Sequence, residues 1–354
     1  MVYANSFSKK DGRLRVHFIA HPADTGHYKT DAFVFEYNGS YTLIDGGINH
    51  ITVCLEYLKR LRAELIGDRT ELLDDESCKL KIDWIVSHFH GDHVSATIKQ
   101  VMPCPFVEFE NIYLPPDCAI DQKYNPENMD GDTKFRPMFL KNYEQYCNGT
   151  RVIELPFGKE NAIFYENGDL RVDIYPPVAD GGIGERLQLI IDRYYDGDDT
   201  VPQIPVAAVN ACSMWVRVTL GEHSFLFTGD TIKRCADAYE ALDEMTDAYA
   251  DEIGHVTVLK FPHHGFKRDE GVADMLRFTP DFMVMTCEYA TAPEKIEKDF
   301  PDCASTLVNC GNETYIFETD GKTMSITTLP VPEGCVREKG APETDANGIP
   351  KEIN

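Results

Sequence analysis

The sequence predicts an α+β protein of two similar halves, each a hairpin-rich sheet followed by strand, loop and helix. Three observations point there. Asn38-Gly39 and Asn167-Gly168 each separate two apolar runs, the strongest short hairpin signal. Lys81–Val86, KIDWIV, is an apolar run that ends in a histidine-rich loop and is followed by the helically periodic VSATIKQVM. Cys54, Leu55, Leu58, Leu61 and Leu65 recur at helical spacing, and Gly67 supplies the stop.

In chain order, Leu14, Val16, Phe18 and Ala20 alternate on one face of a strand over residues 13–20. The hairpin around Asn38-Gly39 then delivers Asp45 at the end of LIDGG. An amphipathic helix over 51–66 and the KIDWIV strand complete the first half. Residues 103–150 are rich in Pro, Asp, Asn and aromatics, and read as a long surface excursion beside a site. The second half begins with a hairpin over 162–175. Next come a helix flanked by loops within DGGIGERLQLIIDRYYDGDDTVPQIP and a hairpin over 214–228. The run FLF at 225–227 leads into Thr228-Gly229-Asp230, a helix follows over 233–252, and the strand VTVLKF leads into Pro262-His263-His264-Gly265. A further helix, the strand DFMVMTC and a final hairpin turning at 319–321 close the second half. The expected organisation is one domain over 1–329 and a frayed tail over 330–354, where Pro, Gly and charge show no periodicity.

Composition narrows the function. The chain has 354 residues, with 34 Lys and Arg against 59 Asp and Glu, a formal charge of -25. Such a surface repels duplex DNA and anionic membrane, so small-molecule chemistry is the easier reading. Nothing reaches the length of an apolar membrane span, the first residues carry no apolar leader, and a cytoplasmic location is expected. The 11 cysteines, without CxxC pairs, indicate neither a disulfide framework nor a zinc ribbon.

Chemistry concentrates in Ser87–Val94, SHFHGDHV, where three histidines and an aspartate fall within six positions. A loop closing a buried strand can aim several side chains at one point. Imidazoles at i and i+2 suit one ion, and Asp and His at i+4 and i+5 reach toward a second. A helix-capping Asp92 alone would not account for three adjacent histidines. Asp45, Asp230 and His263-His264 also follow apolar strands, and strand ends on one sheet rim can converge.

HxHxDH after a strand, within two β-then-α halves, resembles the metallo-β-lactamase superfamily over the chain to about residue 329. The resemblance implies a four-layer αββα sandwich with two metal ions on the rim between its sheets. LIDGG at 43–47, NACSMWVRV at 210–218, FLFTGD at 225–230 and KFPHHG at 260–265 further resemble the branch containing ComEC-type C-terminal domains and bacterial phosphorylcholine esterases. The chain departs from that branch at Phe266, where Ser is usual, and at Tyr289–Pro293, which replaces a histidine-containing loop.

The resemblance implies His88 and His90 on a first metal, Asp92 and His93 on a second, and Asp230 bridging both. One of the histidine pair completes the second metal: His264 is taken as that ligand, and His263 as the group that touches the scissile bond or protonates the leaving group. Asp92 and His263 are thus the expected catalytic residues, and Asp45 the buried aspartate that orients a motif histidine. The middle histidine of the lactamase and glyoxalase branches is missing, since no His lies between Val94 and Glu222. Asn210, at the start of the NACS strand, is its expected substitute, as a weak oxygen ligand or through water. Two divalent ions are implied, zinc first, with manganese left open by the oxygen-rich donor set.

Two such ions lower the pKa of a bridging water, giving hydroxide near neutral pH. The leading expectation is a dinuclear hydrolase of the phosphodiesterase type, acting on a small-molecule phosphoester or a single-stranded nucleic acid end. Hydrolysis of a lactone, thioester or β-lactam is the second expectation, and a metal-stabilised binding domain the third. His90 argues against the di-iron oxidoreductase branch, where a carboxylate is expected. Lys233, Arg234, Lys267 and Arg268 could hold a phosphate, or be solvated helix starts; Tyr194 and Tyr195 could cage a cationic group, or simply pack.

Overall fold

A computed structural model describes residues 2–20, 30–117, 134–178, 193, 196–197, 204–233, 240–265, 271–287, 290, 292–311, 313–331 and 335. Arg234, Lys267, Arg268, Tyr194, Tyr195, Phe266, the expected helix over 181–195 (Arg193 apart) and nearly all of the 330–354 tail lie outside them.

Fifteen strands form two sheets among the described residues. The first sheet contains β1 (Leu14–Phe18), β2 (Ala32–Tyr37), β3 (Ser40–Asp45), β4 (Leu80–Ile85), β5 (Val107–Leu114), β6 (Arg151–Glu154), β14 (Glu313–Thr319) and β15 (Met324–Pro330), in the order β15-β14-β1-β2-β3-β4-β5-β6. The second contains β7 (Ile163–Asn167), β8 (Leu170–Tyr175), β9 (Trp215–Leu220), β10 (His223–Phe227), β11 (Val258–Lys260), β12 (Phe282–Met285) and β13 (Thr306–Asn309), in the order β13-β12-β11-β10-β9-β8-β7. In each sheet an antiparallel hairpin portion gives way to a parallel portion, at β3–β4 in one and β10–β11 in the other. The two halves read from the sequence correspond to these two sheets except at the final hairpin, which was expected to close the second half and instead adds β14 and β15 to the first sheet beside β1.

Helices α1 (Val53–Ile66), α2 (Gly91–Ala96), α3 (Phe135–Tyr146) and α4 (Ile204–Ala211) share one core with the outer face of the first sheet. Helix α5 (Ala241–Ile253), α6 (Val272–Leu276) and α7 (Ala292–Asp299) cover the outer face of the second. Side chains of β2 alternate between cores: Ala32 and Val34 face the helices, while Phe33 and Phe35 face the other sheet. Between the sheets, Phe18 stacks on Phe227 at 5.6 Å and Phe33 lies 5.0 Å from it. Burying each such ring contributes roughly 1.5–3 kcal/mol. The result is the four-layer αββα sandwich expected.

Several elements differ from the sequence reading. The 103–150 stretch is not an excursion throughout, because β5 sits inside the first sheet between β4 and β6, and α3 packs on its helical face. The prolines flanking VEFENIYL masked a strand whose Val107 and Phe109 alternate inward. Asn210 lies in the last turn of α4, not at a strand start, since β9 begins only at Trp215. No helix among the described residues is long and apolar enough to cross a membrane.

Trp84 ties core to site. Its ring is fully buried against Phe109 and Phe139 at 5.8 and 5.7 Å, and its Nε1 donates to the Asp45 carbonyl at 2.7 Å. Trp84→Ala is expected to cost about 3–5 kcal/mol of unfolding free energy, read from chemical denaturation.

Candidate metal centre

Parallel neighbours end on the same rim, so the topology explains the convergence. β3 ends at Asp45, and β4 leads two residues on to Ser87 and His88. β10 leads to Asp230, and β11 to His263 and His264. Helix α2 begins at Gly91, so Asp92 and His93 stand in its first turn, and only His88 and His90 belong to the loop proper.

Two groups of buried side chains able to hold a metal ion result, each with ligand atoms within 4.8 Å: His88, His90 and Asp230, and Asp31, His93, Asp230 and His264. Asp230 belongs to both. The ring centroids of His88 and His90 are 4.7 Å apart, those of His88 and His93 4.1 Å, and those of His93 and His264 5.0 Å.

Hydrogen bonds behind the rings set which nitrogen faces inward. Asp45, at φ 60°, accepts from Ser87 N at 2.7 Å, Ser87 Oγ at 2.8 Å and His93 Nδ1 at 2.8 Å. Ser87 has one hydroxyl proton and gives it to the carboxylate, so His88 Nδ1, 3.0 Å from Ser87 Oγ, must be the donor there. Both rings therefore keep a proton on Nδ1 and turn Nε2 inward. The close fit explains the glycine after Asp45: a Cβ on Gly46, at φ 138°, would lie 1.8 Å from Thr97 Oγ1.

The inward atoms lack hydrogen-bond partners. His88 Nε2, His93 Nε2, His264 Nε2 and Asp230 Oδ2 are buried and unbonded, although His93 Nε2 is 3.1 Å from Asp230 Oδ1 and His264 Nε2 is 3.2 Å from Asp230 Oδ2. Those contacts have the length of hydrogen bonds without their alignment. Lone pairs held this close and buried call for a cation between them. The residues fit a divalent metal.

Electrostatics agree. Burial, with His93 and His90 adding, holds His88 well below the ordinary histidine range, so its ring is neutral and ready to ligate. Burial opposes a charge on His264, yet Asp230 and Asp31 outweigh it and raise that pKa to about 9. His93 is raised in the same way by Asp230, Asp45 and Asp31 against burial. The carboxylates draw in whatever cation is available.

His263 and Asp92 reach solvent while the other site residues do not: their side chains are 18 % and 14 % exposed, against 0 % for His264 and Asp230. His263 Nε2 is 4.0 Å from Asp230 Oδ2, and Asp92 Oδ2 is 3.4 Å from His264 Nε2. Both histidines of the pair have positive φ, 51° and 59°, in the tight turn that presents them. Asn210 is buried with its Oδ1 unbonded, and its carbonyl accepts from the backbone N–H of Ser213, whose Oγ accepts from Asp230 N at 3.1 Å.

Two members were not foreseen. Asp31 and Lys260 are both fully buried and form an ion pair beside His264 and Asp230. Lys233, read as either a phosphate holder or a solvated helix start, pairs with Asp243 at 2.7 Å and Asp274 at 2.9 Å. Lys233→Ala should leave the KM for a phosphodiester unchanged within about twofold, and cost at most about 1 kcal/mol of stability, measured by steady-state kinetics and denaturation.

Sheet order, layers and a His/Asp cluster at the strand ends define a protein of metallo-β-lactamase fold. Among solved structures, the chain is similar to the metallo-β-lactamase fold protein YhfI from Bacillus subtilis, at 14% identity over 87% of this chain and 100% of that one, TM-score 0.41. It is also similar to Tm1679, a metal-dependent hydrolase of the β-lactamase superfamily (13%, 89% and 100%, TM-score 0.44), and to a diphosphatase of the PhnP family (10%, 83% and 94%, TM-score 0.39). No protein-family model matches the chain, and no curated protein matches it.

Proposed function

We propose that the protein is a dinuclear metal-dependent hydrolase of phosphoesters, of the phosphodiesterase type. The observation that carries this reading is the set of buried, unbonded Nε2 and carboxylate atoms converging on Asp230, with Asp92 and His263 at an opening to solvent. A purely structural zinc site would be closed and filled by Cys and His, so the open, carboxylate-rich set favours catalysis over a binding module.

In this reading His88 and His90 hold one cation, with Asn210 Oδ1 as a weak ligand. Asp92, His93 and His264 hold the other, and Asp230 is shared. Two divalent cations, zinc or manganese, would supply Lewis acidity, lowering the pKa of water and neutralising charge that grows on a phosphoryl oxygen. Asp45 fixes the ring of His93 directly and that of His88 through Ser87. His263, partly exposed at the mouth, passes a proton to the departing oxygen.

Charge supports a phosphoester substrate. Among the described residues, the carboxylates of Asp31, Asp45, Asp92 and Asp230 share the ammonium of Lys260, leaving three negative charges in surplus. Two divalent cations would offset that surplus, and the charged oxygens of a phosphodiester suit a pair of cations better than a neutral lactone or amide does. The chain's net charge of -25 favours a small phosphoester or a single-stranded end over duplex DNA.

The test compares bis-p-nitrophenyl phosphate, p-nitrophenyl acetate and a chromogenic β-lactam at matched zinc or manganese loading. Phosphodiester turnover is expected to dominate. Faster ester or β-lactam turnover would move the reading to the second class of substrate, and no turnover by fully loaded protein would favour a binding domain.

A further inference from the structure

We propose that Asp31 and Lys260 are a positioning pair: Asp31 locks the His264 ring with Nε2 turned inward, and Lys260 holds Asp230 where both metal subsites share it. The inference rests on the metal-centre reading above and assigns work to two residues that this reading leaves unused.

Asp31 could be mistaken for a direct ligand, since it lies within 4.8 Å of the His93, Asp230 and His264 donors. Its contacts place it behind the ring instead. Asp31 Oδ1 is 3.0 Å from His264 Nδ1, whereas Nε2, on the other side of that ring, lies 3.2 Å from Asp230 and 3.4 Å from Asp92. Thr286 Oγ1 donates to the same Asp31 oxygen at 2.5 Å, and that hydroxyl oxygen is 3.0 Å from His264 Nδ1. Because the threonine proton goes to the carboxylate, Nδ1 of His264 carries its own proton, and Nε2 keeps its lone pair for a metal. Asp31 thus does for His264 what Asp45 does for His93.

Lys260 binds the remaining side. Its Nζ pairs with Asp31 Oδ2, donates to the Gly229 carbonyl at 2.7 Å and stands 3.4 Å from Asp230 Oδ1. Gly229 directly precedes Asp230, so the ammonium grips both the backbone and the carboxylate of the shared ligand. The backbone fixes Asp31 in turn: its N–H donates to the Asp92 carbonyl at 3.1 Å, and its carbonyl accepts from Gly46 N at 3.1 Å. A fully buried ammonium is tolerated only with such partners.

The experiment titrates cobalt into metal-free protein by calorimetry and visible absorption, using wild type, Asp31→Asn, Lys260→Met, the double variant and His264→Ala. Wild type is expected to bind two ions. Asp31→Asn should weaken one step about 10–100-fold, the same step that His264→Ala removes, and leave the other step and its absorption bands unchanged. Lys260→Met should weaken both steps, since Asp230 serves both. The double variant restores charge balance, so it folds even where a single variant does not, and it should still bind weakly at the His264 step. Wild-type affinity in Asp31→Asn, or its recovery in the double variant, would overturn the inference. A wild type that binds no cobalt would instead bring down the metal-centre reading beneath it.

Discussion

Asp230→Ala is expected to remove phosphodiester hydrolysis, lowering kcat/KM by at least about 10³-fold, because it deletes the one carboxylate common to both candidate metal groups. Cobalt or zinc stoichiometry, read by elemental analysis after dialysis, should fall from two to at most one. The fold should survive. Lys260 keeps Asp31 as its partner when Asp230 is gone. In the metal-free protein burial opposes the Asp230 charge, yet His264, His93 and Lys260 hold its carboxyl well below the usual carboxylate range, so its removal should lower the denaturation midpoint modestly while leaving a cooperative transition. Loss of activity with an intact fold separates a ligand from a core residue such as Trp84. Robust turnover by Asp230→Ala would overturn the assignment of the centre.

What could be read from the sequence was what is local. SHFHGDHV carries its spacing within one loop and one helical turn, and Asp45 and Asp230 announce themselves by ending apolar runs in DGG and TGD. The pairing of parallel strands then brought these distant ends to one rim. Asp31 and Lys260 had no such signal. Asp31 stands just before β2, 233 positions before the histidine it supports, and Lys260 ends a short apolar strand where a lysine reads as a stem with a solvated head. Only the closure of the two sheets makes their charges neighbours. Strand β5 was missed for a different reason: its alternation lasts only over Val107–Glu110 before Asn111 interrupts it, and the flanking prolines read as loop. Asn210 was placed on the wrong element because the apolar run that follows it is a strand, although Asn210 itself lies in the helical turn before that strand.

Chelation should produce the second large effect, a fall in thermal midpoint whose size depends on pH. Metal held at about a thousandfold its dissociation constant contributes about 4 kcal/mol. For a chain of this size that corresponds to a fall on the order of 10 °C when the metal is stripped. The metal-free site does not stay bare, since protons take part of the cation's place. The pKa of His264 is raised to about 9 by Asp230 and Asp31 despite its burial, above the ordinary histidine value of about 6.5. A folded-state pKa above the unfolded one stabilises the fold fully at pH below the unfolded value, and the contribution disappears as pH rises through the folded value. Chelated protein should therefore be more stable at pH 6 than at pH 9.5. Metal binding must also expel those protons at low pH, so the midpoint gained on adding metal should widen from pH 6 to pH 9.5. Calorimetric melts of chelated and reloaded protein across that range measure both trends. A metal-induced gain that is flat with pH would mean that His264 carries no exchangeable proton in the empty site, and that the carboxylates around it are balanced by some other group.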